Sequence, residues 1–206
     1  MIDAVSLLGF IPAALALNLT PGADMMFCLG QGLRAGRGAA VAASAGISAG
    51  SMVHVTLAGL GLGAAVSAMP GLFDVIRWAG VAYLLYLAWG ALRGGLAAEE
   101  LPGRCGANAF RSGLLVNLTN PKVILFVLAF VPQFVQPQAG PVLAQFLIFG
   151  MILAAGGFFI NALAGIFAGQ AGRRLAGSPV FARWLGRVSA GIFAGLAVRL
   201  AIMERA

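Results

Sequence analysis

The sequence predicts an all-α integral membrane protein of six transmembrane helices, and three observations carry the prediction. The first is composition: 61% of the 206 residues are hydrophobic and only 9% are charged, too little polar stock to coat a soluble globule of this size. The second is a series of apolar runs of about 20 residues or more, the length a helix needs to cross the hydrocarbon core of a bilayer. The third is the alternation of arginines between connections. Lipid cannot satisfy free backbone N–H and C=O groups, and these Ala-, Leu- and Gly-rich runs lack the alternation of barrel strands, so they are read as helices.

The first run, residues 4–31, follows Met-Ile-Asp with no Lys or Arg before it. It therefore lacks the basic leader of a cleaved signal peptide and is expected to stay in the mature chain. The second, 39–67, lies between Arg37-Gly38 and Pro70, and the third, 71–92, between Pro70 and Arg93. The fourth, 110–132, carries an internal Asn-Pro and ends at Pro132. The fifth, 141–171, lies between Gly140 and Gly172-Arg173-Arg174, and the sixth, 184–203, stops before Glu204-Arg205. Six spans leave no room for a soluble domain, so residues 1–206 are expected to form one membrane domain, with repeat halves at about 1–100 and 101–206.

Orientation follows from the basic residues. The first, third and fifth connections hold Arg34, Arg37, Arg93, Arg104, Arg111, Arg173, Arg174, Arg183 and Arg187, against Arg77, Arg199 and Arg205 on the other side. Nine against three predicts both termini outside under the positive-inside rule. The same scatter explains the formal charge of +7 without a nucleic-acid partner, since no dense basic patch exists. The partner expected from these features is the lipid bilayer. Cys28 and Cys105 are read as free thiols, and the single histidine leaves no metal-ligand cluster, so neither a metal nor another cofactor is expected.

Small residues recur at four-residue spacing at Gly46 and Gly50, Gly59 and Gly63, Gly165 and Gly169, and Gly191 and Gly195. Such pairs permit close helix approach, either as ordinary packing within the membrane or as a homodimer face. Trp78, Tyr83, Tyr86 and Trp89 near the ends of the third run are read as an interfacial belt.

The most informative feature is a repeat. Asn18-Leu19-Thr20-Pro21 in the first span recurs as Asn117-Leu118-Thr119-Asn120-Pro121 in the fourth. Three spans per half means that the second half enters the membrane with opposite polarity, as in the inverted repeats of secondary transporters. Each Pro removes a backbone donor, and Thr20 and Asn120 are suitable N-caps for a helix restarting with Pro at its first position, so both spans are predicted to break mid-membrane. The restarted N-termini would then converge on a central region that favours an anion. Asp24 follows Pro21 by three residues and Lys122 follows Pro121 directly. An ionisable residue mid-membrane costs about 2.5–3.5 kcal/mol on insertion scales, so both should face the interior and meet there, as a binding site or as a buried ion pair locking the halves.

These residues resemble the signatures of the LysE/RhtB family of bacterial amino-acid exporters. Pro21-Gly22-Ala23-Asp24 with Gly30-Gln31-Gly32-Leu33-Arg34-Ala35-Gly36 is similar to the family's first-span motif. Gly113-Leu114-Leu115-Val116-Asn117-Leu118-Thr119-Asn120-Pro121-Lys122 is similar to its fourth-span motif, and Gly80-Val81-Ala82-Tyr83-Leu84 adds a third match. Ala23 stands where the family often has a second Pro, which predicts a less sharp first break. The resemblance implies a multi-pass exporter of small amino acids or their derivatives in the bacterial inner membrane, driven by the proton gradient.

A zwitterionic substrate has a carboxylate that helix-end donors and Lys122 would suit, and an ammonium that Asp24 would suit. Asp24 could bind that ammonium or a proton in competition. Asn18, Thr20, Asn117, Thr119 and Asn120 are candidate polar contacts beside the breaks at Pro21-Gly22 and Pro121, with capping as their other use. His54 is a candidate proton relay or a bridge between helices, while Gln31, Gln145 and Asn161 line a path or join helices. A membrane-embedded enzyme would need an activated nucleophile or a metal cluster, and neither is evident. An ion or metal exporter or a channel of similar architecture is the remaining alternative.

Overall fold

The structure is a computed structural model that describes residues 2–68, 72–93, 108–168 and 179–202, with only the backbone described at some helical positions. Cys105, Arg104, Arg173, Arg174, Arg205 and Gly169 lie outside these residues. Among the described residues the fold is all-helical: α1 Ala4–Leu19, α2 Ala23–Ala35, α3 Arg37–Ala68, α4 Leu72–Leu92, α5 Ala109–Leu118, α6 Pro121–Ala129, α7 Val142–Ile166 and α8 Pro179–Ile202. Two short 3-10 turns, Val131–Phe134 and Pro137–Ala139, link α6 to α7.

The six predicted runs map onto these helices, with α1 and α2 sharing the first and α5 and α6 the fourth. By length and apolarity α3 over Arg37–Gly61 and α7 over Val142–Ile166 are each able to cross a membrane, and each bent pair counted as one span makes four. The helices α4 and α8, 21 and 24 residues long, occupy the predicted third and sixth positions, but α4 carries Asp74 and Arg77 and α8 carries Arg183, Arg187 and Arg199.

Local chemistry accounts for the boundaries. Asp3 caps α1 by accepting the Ser6 amide at 2.7 Å, and hydrogen bonding by Ser6 holds the exposed Asp3 carboxyl below its ordinary value. Gly36 ends α2 with φ +86°, a left-handed turn that other residues rarely adopt, and α3 starts at the next residue.

Packing is of two kinds. Phe10, Phe126, Phe130, Phe134 and Phe149 form an aromatic cluster joining α1, α6, the first 3-10 turn and α7, with Phe10 and Phe149 ring centroids 4.7 Å apart. Around α2, α3 and α5 the core is built from Phe27, Cys28, Ala43, Ile47, Ala109 and Val116, and the backbones lie close. A Cβ at Gly46 would strike the Phe110 carbonyl, and one at Gly113 would strike that of Ala43. Gly46, Gly50, Gly59 and Gly165 are therefore used for packing inside the molecule. Gly191 and Gly195 are exposed with nothing near their Cβ positions, and the surroundings of Gly63 are not described.

A stripe of serines on α3 ties this region together. Ser44 and Ser48 donate to the Phe158 and Ala154 carbonyls of α7 at 2.7 and 2.9 Å, and Ser51 donates to the Asn117 side chain at 3.4 Å. The long α3 thus fixes α7 and the end of α5 relative to each other.

Candidate functional site

Both motif helices are bent, by 51° between α1 and α2 and by 54° between α5 and α6. The two breaks are equally sharp, so Ala23 in place of a second Pro does not weaken the first. Each break begins with a proline that deprives the carbonyl four residues earlier of its helical donor.

At the first break that carbonyl belongs to Leu17. Lys122, reaching across from the start of α6, donates its Nζ to Leu17 O at 3.0 Å and to Thr20 O at 2.9 Å. It caps the C-terminal end of α1 where four carbonyls would otherwise lack partners. Thr20 is not the N-cap of a restarting helix. It is the C-cap of α1, with its amide and hydroxyl both on Ala16 O, at 2.9 and 2.6 Å. Pro21 lies between the helices, and α2 is preceded by Gly22, which offers no side-chain cap. A Cβ on Gly22 would come within 3.1 Å of Lys122 Nζ, so its absence makes room for the lysine.

At the second break the carbonyl without its helical donor belongs to Asn117. It receives the Asn120 amide at 3.0 Å and the His54 ring Nε2 at 3.2 Å. Here the predicted cap is found: the Asn120 side chain accepts the Lys122 amide at 3.0 Å, with Pro121 in the first turn of α6. Tyr83 of α4 donates its hydroxyl to Lys122 O at 2.9 Å. Tyr83 is therefore a buried strut and not part of the interfacial belt, to which the exposed Trp78, Tyr86 and Trp89 remain suited.

Between the breaks lies a small cavity of about 10 Å³ whose lining includes Asn18, Asp24, Lys122 and Asn161. It has room for about one water molecule. Asp24 is only 7% exposed; its Oδ2 accepts the Asn117 side-chain amide at 2.9 Å, while its Oδ1 has no partner among the described residues. Asp24 and Lys122 thus share a cavity without forming an ion pair among the described residues.

The other candidates divide. Asn18 donates to Leu153 O of α7 at 3.1 Å from a notch left by Gly156 and Gly157. Asn161 lines the cavity, and its Oδ1 has no partner among the described residues. Thr119 is exposed, its hydroxyl bonded to Leu115 and Val116 of its own helix, away from the cavity. His54 bridges α3 to the second break and also lines a separate apolar cavity of about 310 Å³ with Leu57, Ile124, Val127 and Leu128. Gln145 clamps the turn after α6 through Gln136 and Gly140, and does not line the central cavity. Sequence reasoning missed Ser51 and the strut role of Tyr83. The spacing of Ser44, Ser48 and Ser51 along one face of an apolar helix is the signal that could have found the former.

The family model described as LysE type translocator matches residues 15–204. A homoserine/homoserine lactone efflux protein of Salmonella typhimurium is 38% identical over 142 residues, covering 66% of each chain. An uncharacterized membrane protein of Vibrio cholerae is 33% identical over 150 residues, 70% of this chain and 71% of the relative. A leucine efflux protein of an Enterobacter strain is 29% identical over 200 residues, 95% and 94% of the two chains. The chain thus spans just under two thirds of the length of the homoserine efflux relative. No solved structure matches.

Proposed function

The chain belongs to the LysE-type translocators, a family of transporters and not of enzymes, and on that premise we propose that it exports small amino acids or their derivatives across the bacterial inner membrane by proton antiport. The substrate binds between the two broken helices, where the central cavity opens during transport. Six spans in two inverted halves, with both termini outside, carry the site, and the arginine bias supports that orientation.

The observation that carries the reading is the unequal state of the two buried charged groups. Lys122 already serves two backbone carbonyls, whereas Asp24, which lines the cavity, has one carboxyl oxygen without a partner among the described residues. The site is therefore built to take up a cation, and a substrate ammonium or a proton satisfies it equally. One displaces the other, which is the elementary requirement of antiport. The names of the relatives fit this chemistry: homoserine, leucine and homoserine lactone all carry an amine, but the lactone has no free carboxylate. A site that reads the amine first accepts all three.

A cavity of about 10 Å³ is far too small for an amino acid, so the proposed site has to widen to admit one. The test is efflux of labelled homoserine, homoserine lactone and leucine from proteoliposomes with and without a pH gradient. The wild-type protein is expected to show gradient-dependent efflux of at least one. Asp24→Asn is expected to insert normally and to lose about a hundredfold of that flux, the usual scale for breaking a buried charge contact. Full export by this variant would remove Asp24 from the coupling role.

A further inference from the structure

Two residues that line the central cavity, and not one, carry a buried oxygen without a partner among the described residues: Asp24, at Oδ1, in the first turn of α2, and Asn161, at Oδ1, in the last turns of α7. Both residues are more than nine-tenths buried, at 7% and 4% exposed, and neither of these atoms has a hydrogen-bond partner among the described residues. A buried acceptor without a donor is unfavourable, and two acceptors that line one small cavity are relieved together by a single donor that reaches both. Asn161 also stands apart from the repeated motifs, so neither helix break accounts for it.

We infer that Asn161 is the second half of the cation-accepting site: its Oδ1 accepts a hydrogen bond from the substrate ammonium in the loaded state and from the protonated Asp24 carboxyl in the empty state. This rests on the reading of Asp24 as the exchange site and adds the residue that makes the exchange one for one. In the empty state the Asp24 O–H proton satisfies both oxygens. When the ammonium of the substrate arrives, that proton leaves, Asp24 becomes a carboxylate, and N–H groups of the ammonium donate to both oxygens. The ammonium's positive charge takes the place of the departing proton beside Asp24, while the carboxylate of a zwitterionic substrate brings one negative charge with it.

The titratable groups around Asp24 are Lys122 of α6, Cys28 one turn further along α2, and His54 of α3 behind Asn117, with Tyr83 of α4 behind Lys122. Those facing from α1, α5 and α7 are neutral amides, Asn18, Asn117 and Asn161. Asn161 therefore adjusts proton exchange as an acceptor and not as a charge.

The experiment measures homoserine counterflow in proteoliposomes as a function of pH for the wild type, Asn161→Ala, Asn161→Asp and Asn161→Ser. Alanine removes the acceptor from the protonated acid, so the pH midpoint of exchange is expected to fall by about one unit, with KM raised about tenfold. Aspartate adds a like charge, so the midpoint is expected to rise. Opposite movements separate this role from a packing defect, which would lower the maximal rate in both variants without moving either midpoint. Serine, which shortens the reach of the acceptor, decides the matter if alanine fails to insert, with the same downward direction expected. Unchanged KM and midpoint in the inserted variants would overturn the inference while Asp24→Asn remains inactive. A fully active Asp24→Asn would instead overturn the reading beneath it.

Discussion

The two helix breaks share nearly the same letters and the same bend, yet they are finished in different ways. The second is closed by its surroundings: Asn120 caps α6, and the carbonyl that Pro121 frees is taken by the Asn120 amide and His54. The first is closed on its α1 side by Thr20 turning back to Ala16 O and by Lys122, which the second break supplies, and α2 starts from Gly22 without a side-chain cap. The unpaired carboxylate oxygen also belongs to the first break. A repeated motif has thus become a buttress in one half and, under the proposed function, a binding edge in the other, and a repeat in sequence does not imply a repeat in role.

The largest effect on this comparison should come from Lys122→Met. The substitution leaves Leu17 O and Thr20 O buried without their donor, each costing about 1–3 kcal/mol, partly offset by no longer burying an amine. A net loss of about 3 kcal/mol is expected, read as a lower unfolding midpoint in detergent. The protein that remains folded should keep the same ratio of homoserine to homoserine lactone export. Loss of homoserine export with lactone export intact would mean that Lys122 reads the substrate carboxylate, and the division between buttress and binding edge would fail.

Much of this was legible in the sequence because it rests on local chemistry. Pro21 and Pro121 break helices wherever they stand, and Asn120 before Pro121 is a cap by residue type and position. Thr20 looked equally suitable, but Pro21-Gly22 delays the next helix to Ala23, so its hydroxyl turns back to Ala16 instead. The pairing of Lys122 with the end of α1 could not be read, because it depends on how helices far apart in sequence are placed. The same holds for Asn161, whose polarity in an apolar run marks it as notable without saying what it faces.

Asn120→Ala tests the closure of the second break and should have an intermediate effect. It removes the acceptor of the Lys122 amide and should cost about 1 kcal/mol, the usual value of a helix N-cap. Unfolding midpoints of Asn120→Ala and Thr20→Ala, measured side by side, sharpen the comparison. Thr20 donates to a carbonyl that already has the amide of the same residue, so its loss should be the smaller of the two. Equal losses would mean that the two caps are equivalent after all.

The smallest effect is expected from His54→Leu. Asn117 O keeps the Asn120 amide when the imidazole is removed, so only one interhelical bond is lost, worth about 0.6 kcal/mol on average within membranes. Asn117 itself still holds Asp24 through its side chain. If His54 only braces the second break, gradient-driven export by this variant should keep its rate within about twofold and its pH profile unchanged, since no proton passes through a brace. A flattened pH profile would make His54 part of the proposed proton route. The second break would then take part in coupling alongside the first.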